Sequence, residues 1–338
     1  GPRHTGICSG AQRLSSGVGS PSSPTSGETG KFRRAVGRLP RHTVGGVKVL
    51  SRAQWEAAAA AHASRVDELT AGHRARRPAG VKHPVEDFLH EYYNHPVSRL
   101  RRWHPGAGVR LADAVRDPRS LWSHYRVVGE GVELDAAGFL ERRGRTVDFV
   151  RGLLTATLAR PATGNCFALH EWAMVYGLAP DEVRHAAYPL RSTPAEIDDV
   201  VERHDLRCSH FDAYRFFTPG AAPRNQLRPT RESQLTLEQP GCLHAGMDLY
   251  KWCFKLAPAI PSELTAEAFA LAHEIRVLDM RASPYDVRVL GVTPIAIETA
   301  QGKAEFAKAQ RSFTARANEL RARLLKALVA LEASAGAD

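Results

Sequence analysis

The chain has 338 residues, 43% of them apolar, with a formal net charge of +10, which is enough apolar material for one large core. Every apolar window is interrupted by His, Glu, Lys or Pro, so none approaches the roughly 18 uninterrupted apolar residues of a membrane helix. Five cysteines without a CxxC pair argue against a disulfide framework and fit reduced thiols in a cytoplasm.

The charge is uneven. Residues 1–50 carry 8 Lys/Arg against 1 Glu, residues 51–160 carry 18 against 13 acidic, and residues 161–338 carry 20 against 22. A surface for phosphates would therefore come from the first half, with Arg74, Arg76, Arg77 and Lys82, or Arg99, Arg101 and Arg102 beside Trp103, as its cations.

Residues 1–46 are rich in Ser, Gly, Pro, Thr and Arg and poor in apolar residues, and read as a disordered tail. They lack the basic and apolar stretches of a secretory signal, and Gly1-Pro2 reads as a scar of tag removal or upstream sequence. From residue 47 to 338 the pattern predicts a single, mainly α domain with a small β element. SRAQWEAAAAAHASRVDELTAGHRARR, from Ser51, reads as one Ala-rich helix anchored by Trp55, Val66 and Leu69. After Pro84 a second helix would place Val85, Phe88, Leu89, Tyr92 and Tyr93 on one stripe. VSRLRRWHPGAG reads as a short basic helix stopped by Pro105 and glycines. Residues 108–112 and 125–134 alternate as short strands do.

The remainder predicts helices over 146–160 and 164–177. Thr193-Pro194-Ala195-Glu196 is a helix start, with an N-cap, a first-position proline and a capping box, and its helix should reach about His204. Thr265 reads as the cap of another, stapled by Leu264 and Phe269. A last long helix over 300–334 carries a stripe of Phe306, Phe313, Leu320, Leu324, Leu328 and Leu331, suited to docking on the core or to self-association.

Three segments concentrate the chemistry. NCFALHEW holds Cys166, His170 and Glu171; RCSHFDAYRF holds Cys208, His210 and Asp212; GCLHAGMDLYKW holds Cys242, His244 and Asp248. Residues four apart share a helix face, which puts Cys166 beside His170, and His244 beside Asp248 and Lys251. The middle segment alternates, and in an extended form would project Cys208, His210, Asp212 and Tyr214 from one face. Glu171 interrupts the apolar run FALHEWAMVYG, where a carboxylate must be paired or functional. Each cysteine also has the plainer reading of a small buried hydrophobe, and Asp248 with Lys251 that of a surface ion pair.

Two catalytic readings fit one pocket built from these segments. Cys166, His170, Cys208, His210, Cys242 and His244 offer donors for zinc or iron, although CxH and CxxxH spacings are not diagnostic and HEWAM is not HExxH. Alternatively, Trp172, Tyr176, Tyr214 and Tyr250 would stack on an extruded, positively charged alkylated base. Glu171, Asp248 or Asp212 would then assist glycosidic cleavage, with no cofactor required. The plain alternative for each ring is core packing. No GxSxG elbow, phosphate loop or GxGxxG is present.

The strings KHPVEDFLHEYYNHPVSRLRRWHPG, NCFALHEWAMVYG, CSHFDAYRFFTP, EQPGCLHAGMDLYKW and LDMRASPYDV resemble a bacterial family described as 3-methyladenine DNA glycosylases. The resemblance spans about Val47 to Leu331, without a helix-hairpin-helix signature of the LPGVG kind. It implies a DNA-repair N-glycosylase that releases alkylated purines from duplex DNA in the cytoplasm, with Arg76, Arg77, Arg99, Arg101 and Arg102 on the phosphates. From the residues themselves, Glu171 or Asp248 would then be the catalytic carboxylate, with His244 or His210 as its orienting partner. A metal-dependent enzyme and a non-catalytic nucleic-acid-binding protein are the alternatives.

Overall fold

The structure, a computed structural model, describes residues 43–44, 46–164, 166–179, 181–183 and 188–336. These belong to one unit spanning residues 41–338. Of the expected tail, only residues 43, 44 and 46 are described. Thr43–Val44 form a strand, so the folded part reaches back beyond Val47.

Five short strands make one sheet: β1 (Thr43–Val44), β2 (Val47–Leu50), β3 (Val109–Leu111), β4 (Tyr125–Val128) and β5 (Gly131–Leu134). Their order is β1-β2-β3-β5-β4, with β2 and β3 parallel and the other pairs antiparallel. Twelve α-helices are found among the described residues: α1 (Arg52–Leu69), α2 (Ala71–Arg76), α3 (Phe88–Tyr92), α4 (Val97–Leu100), α5 (Ala136–Leu158), α6 (Leu169–Ala173), α7 (Pro194–Glu202), α8 (Phe211–Tyr214), α9 (Gln234–Leu237), α10 (Leu243–Lys255), α11 (Ser262–Ala282) and α12 (Ala300–Ala335). The fold is mainly α with a small β element, and no described helix is long and apolar enough to cross a membrane.

The long helices α5, α10, α11 and α12 pack together and enclose the main core. A smaller cluster of Trp55, Trp103, Leu111, Ala114 and Val132 joins α1 to the sheet. There the Arg119 guanidinium sits 5.4 Å from the Trp55 ring, 5.5 Å from Trp103 and 5.4 Å from Trp122.

Several expected boundaries shift. The helix from Ser51 breaks at Thr70, whose hydroxyl donates to the Val66 carbonyl and closes α1. The helix after Pro84 shrinks to α3, because Asn94 turns left-handed (φ 49°). The stripe survives as buried Val85, Leu89 and Tyr93. The helix expected at 146 starts at Ala136, capped by Asp135, whose carboxylate accepts from the Gly138 amide. That expected over 164–177 is only α6. Thr265 lies inside α11, which starts at Ser262: the Ser262 hydroxyl accepts from the His104 amide and donates to the Arg102 carbonyl. The Thr193 capping box is present as read.

Candidate metal centre and its buried charge network

The 166–170 turn is shaped by backbone strain. Phe167 (φ 44°) and Ala168 (φ 58°) are successive left-handed residues, a conformation that costs an L-residue roughly 1–2 kcal/mol. The reversal folds Cys166 back on the start of α6, with its Sγ 3.2 Å from His170 Nδ1. Helical spacing had anticipated this pair, but a strained turn makes it.

The second arm is the 207–210 loop. The buried Asn225 side chain pins it, accepting from the Cys208 amide at 2.7 Å and donating to the Cys208 carbonyl at 2.9 Å. The extended reading of this segment holds only to His210, since 211–214 is the helix α8. The third arm is the start of α10. Gly241 approaches residue 163 so closely that a Cβ would lie 2.3 Å from the Thr163 carbonyl oxygen. Gln239 and Gln310 clamp the same backbone through Thr163 and Gly241.

The arms meet. Cys166, Cys208, Cys242, His170 and His244 line one cavity of about 10 Å³. Behind it the His170 ring lies edge-on to His244 at 4.6 Å, and His244 stacks on His210 at 5.3 Å. His170, His244 and Asp279 offer atoms within 4.8 Å of one another, as do His210, Glu238 and Asp248.

Two buried charge networks flank the histidines. In the first, His170 Nε2 lies 2.9 Å from an Asp279 oxygen, and Arg276 Nη1 donates to Glu171 at 2.6 Å and to Asp279 at 3.2 Å. Burial opposes charge on His170, but Asp279 and Cys166 outweigh it and raise its pKa well above the ordinary value. Burial, then His170, lowers His244 and keeps its imidazole neutral. In the second network Asp248 accepts from the Tyr93 hydroxyl at 2.9 Å, pairs with Lys251, and faces His210 Nε2 at 3.3 Å. Burial alone would raise Asp248; Lys251 and His210 overcome it and hold the carboxyl well below its usual range. Asp248 and Lys251 are thus a buried pair rather than the plain surface one. Burial raises the thiols of Cys208 and Cys242, so neither ionises readily without a cation beside it.

The other sequence candidates lie elsewhere. Trp172 is fully buried, donating through its indole N–H to the Ala282 carbonyl at 2.9 Å. Tyr250 is also fully buried, packed among Tyr93, His95, Phe254 and Phe269. Both rings are core in this conformation and present no face to a stacked base. Tyr176 bonds Glu202 at 2.7 Å, and Tyr214 packs on Phe217. Asp212 stays beside the second network, paired with Arg215 at 3.1 Å and Lys251 at 3.5 Å. Of the arginines read as phosphate contacts, Arg76 pairs with Glu86 and Asp87 and Arg101 with Asp67. Arg77, Arg99 and Arg102 are exposed.

Residue patterns give Asp279, Arg276 and Glu238 no role, and Tyr93 only a place on the apolar stripe after Pro84. The signal for two of them was present: in EIRVLDMRA, Arg276 and Asp279 interrupt an apolar helix as Glu171 does. Arg321, buried on α12 near Glu238 and Cys242, has its pKa lowered by burial to about 10. Comparison of the chain with protein-family models, with curated proteins and with solved structures gives no match.

Proposed function

We propose that this is a metal-binding protein that holds one zinc or iron ion between the 166–170 turn, the 207–210 loop and the start of α10. Cys166, Cys208 and Cys242 are its thiolate donors and His244 or His170 the one imidazole that completes four. One observation carries the reading: three thiols and two imidazoles, remote in the chain, line a single cavity of about 10 Å³, Cys208 buried and Cys166 and Cys242 half-buried. The groups whose ligand atoms already lie within 4.8 Å of one another hold histidines and carboxylates and no cysteine, so the thiols must close in on the ion. The cavity is on the scale of one water-sized sphere. Thiolate and imidazole together suit zinc and iron. His244 is neutral and offers a lone pair directly, whereas an ion must displace a proton from His170. The bond from His170 to Asp279 is the outer support that orients a metal-bound imidazole. Donors drawn from three separate segments favour a site that ties those segments together.

The N-glycosylase reading requires Glu171 or Asp248 to face an extruded base. Glu171 is 5% exposed and bonded to Arg276, and Asp248 is 1% exposed and bonded to Tyr93 and Lys251. The support for that reading is the resemblance of the five strings.

Elemental analysis of the purified full chain tests the proposal. About one zinc or iron per chain is expected, with loss of the ion and a lowered Tm in Cys208→Ser/Cys242→Ser, and a sulfur-to-metal absorption band on cobalt substitution. Absence of bound metal together with failure to bind added zinc, iron or cobalt overturns it. Release of methylated purines from alkylated duplex DNA, abolished by Glu171→Gln, would put the glycosylase reading first.

A further inference from the structure

The far end of α10 opens on a separate feature. His244 and Lys255 are eleven residues apart, about 16 Å along a helix. Around Lys255 lies a cleft of about 710 Å³, bounded by α4, the 121–124 loop and the link from α10 to α11. Its lining contributes Arg99, Arg102, Arg143 and Lys255 and no carboxylate. Among the described residues none of the four forms an ion pair, whereas their neighbours Arg101 and Arg142 pair with Asp67 and Asp135. Cations gathered without counter-charge repel one another, and such a site favours an incoming anion.

Flat groups line the same cleft. The Arg102 guanidinium lies 5.4 Å from the Trp122 ring, and His95 stacks on Phe254 at 4.3 Å with planes 11° apart. The backbone is strained on this wall: His124 is left-handed at φ 69°, and strain of this kind clusters at ligand sites. Burial and then Arg99 lower His95 to about 4, and burial with Arg119 and Arg102 does the same for His104, so both rings stay neutral at pH 7. The partial negative charge at the end of α10 is covered, because Arg143 donates to the Lys255 carbonyl at 2.7 Å.

We propose that this cleft binds a phosphate-bearing ligand with a flat ring, of nucleotide size, its phosphates held by Arg99, Arg102, Arg143 and Lys255 and its ring against Trp122. The volume falls within the range of small-ligand pockets. Charged guanidinium donors suit phosphate oxygens, and the Trp122 ring, now beside the Arg102 and Arg119 guanidinium groups, takes a base once Arg102 swings onto the phosphates. The assignment is independent of the metal centre.

The full chain is titrated with AMP, ATP, pyrophosphate and a short single-stranded oligonucleotide, by calorimetry and tryptophan fluorescence. Saturable binding of AMP or ATP is expected, weakened about tenfold or more in Arg102→Ala/Arg143→Ala. Trp122→Ala should weaken AMP but leave pyrophosphate nearly unchanged. Circular dichroism checks that both variants fold. Tighter binding of the oligonucleotide than of either nucleotide assigns the ligand to a strand, and the reverse order assigns it to a free nucleotide. Absence of saturable binding by all four probes up to millimolar concentration, or binding that both variants retain in full, overturns the proposal.

Discussion

Arg276 is the residue on which the first buried network turns. At 3% exposure it neutralises Glu171 and Asp279 together, at 2.6 and 3.2 Å. Removing one partner of a buried pair strands the other charge, a loss of about 3–5 kcal/mol. Arg276→Met should lower the unfolding free energy in urea by that amount, and adding Glu171→Gln should recover part of it. A loss under about 1 kcal/mol would show that the network is solvated. Glu171 was legible in sequence as a carboxylate needing a partner, but the partner was not. It arrives from α11, more than a hundred residues away, and spacing along the chain carries no information about it.

Among the elements, α12 follows its sequence most closely. Its stripe of Phe306, Leu320, Leu324, Leu328 and Leu331 is buried against the protein's own core, with Phe313 partly buried beside it. Leu328→Ala should therefore cost about 2–5 kcal/mol. Val329→Ala, one position away and 63% exposed, should stay within about 0.5 kcal/mol. Equal effects in thermal melts would contradict the placement of the helix. The short helices α3 and α6 were overextended from sequence. Apolar spacing continues through Asn94 and Cys166–Ala168, but the chain leaves the helical region there, in left-handed turns that the core imposes.

Across the molecule, three buried histidines weaken the fold in acid, against His170 and His210, whose raised pKa values act in the opposite direction. His90, His95 and His104 each have a pKa lowered to about 4, chiefly by burial, against about 6.5 in an unfolded chain. Between those values the unfolded chain holds more protons than the folded one. The stability these three contribute therefore rises with pH in this window and is lost as pH falls from about 6.5 towards 4. By pH 5 the loss should be roughly 1–2 kcal/mol per histidine. Urea midpoints at pH 7.5 and pH 5 measure it, and His95→Gln should reduce the difference. A midpoint difference that His95→Gln leaves unchanged would refute neutral burial of that ring.

The class of fold, the long amphipathic helices, the Thr193 cap and the three segments that carry thiols, imidazoles and carboxylates are all legible in residue order. Each of these is a local property, written in periodicity or in residues a few positions apart. It takes the folded chain to bring the three cysteines to one cavity, to place Trp172 and Tyr250 in the core, and to gather Arg99 and Arg102 with Arg143 and Lys255 in a cleft. Those outcomes depend on which distant surfaces meet, and burial of the large apolar faces settles that before any single polar residue is placed.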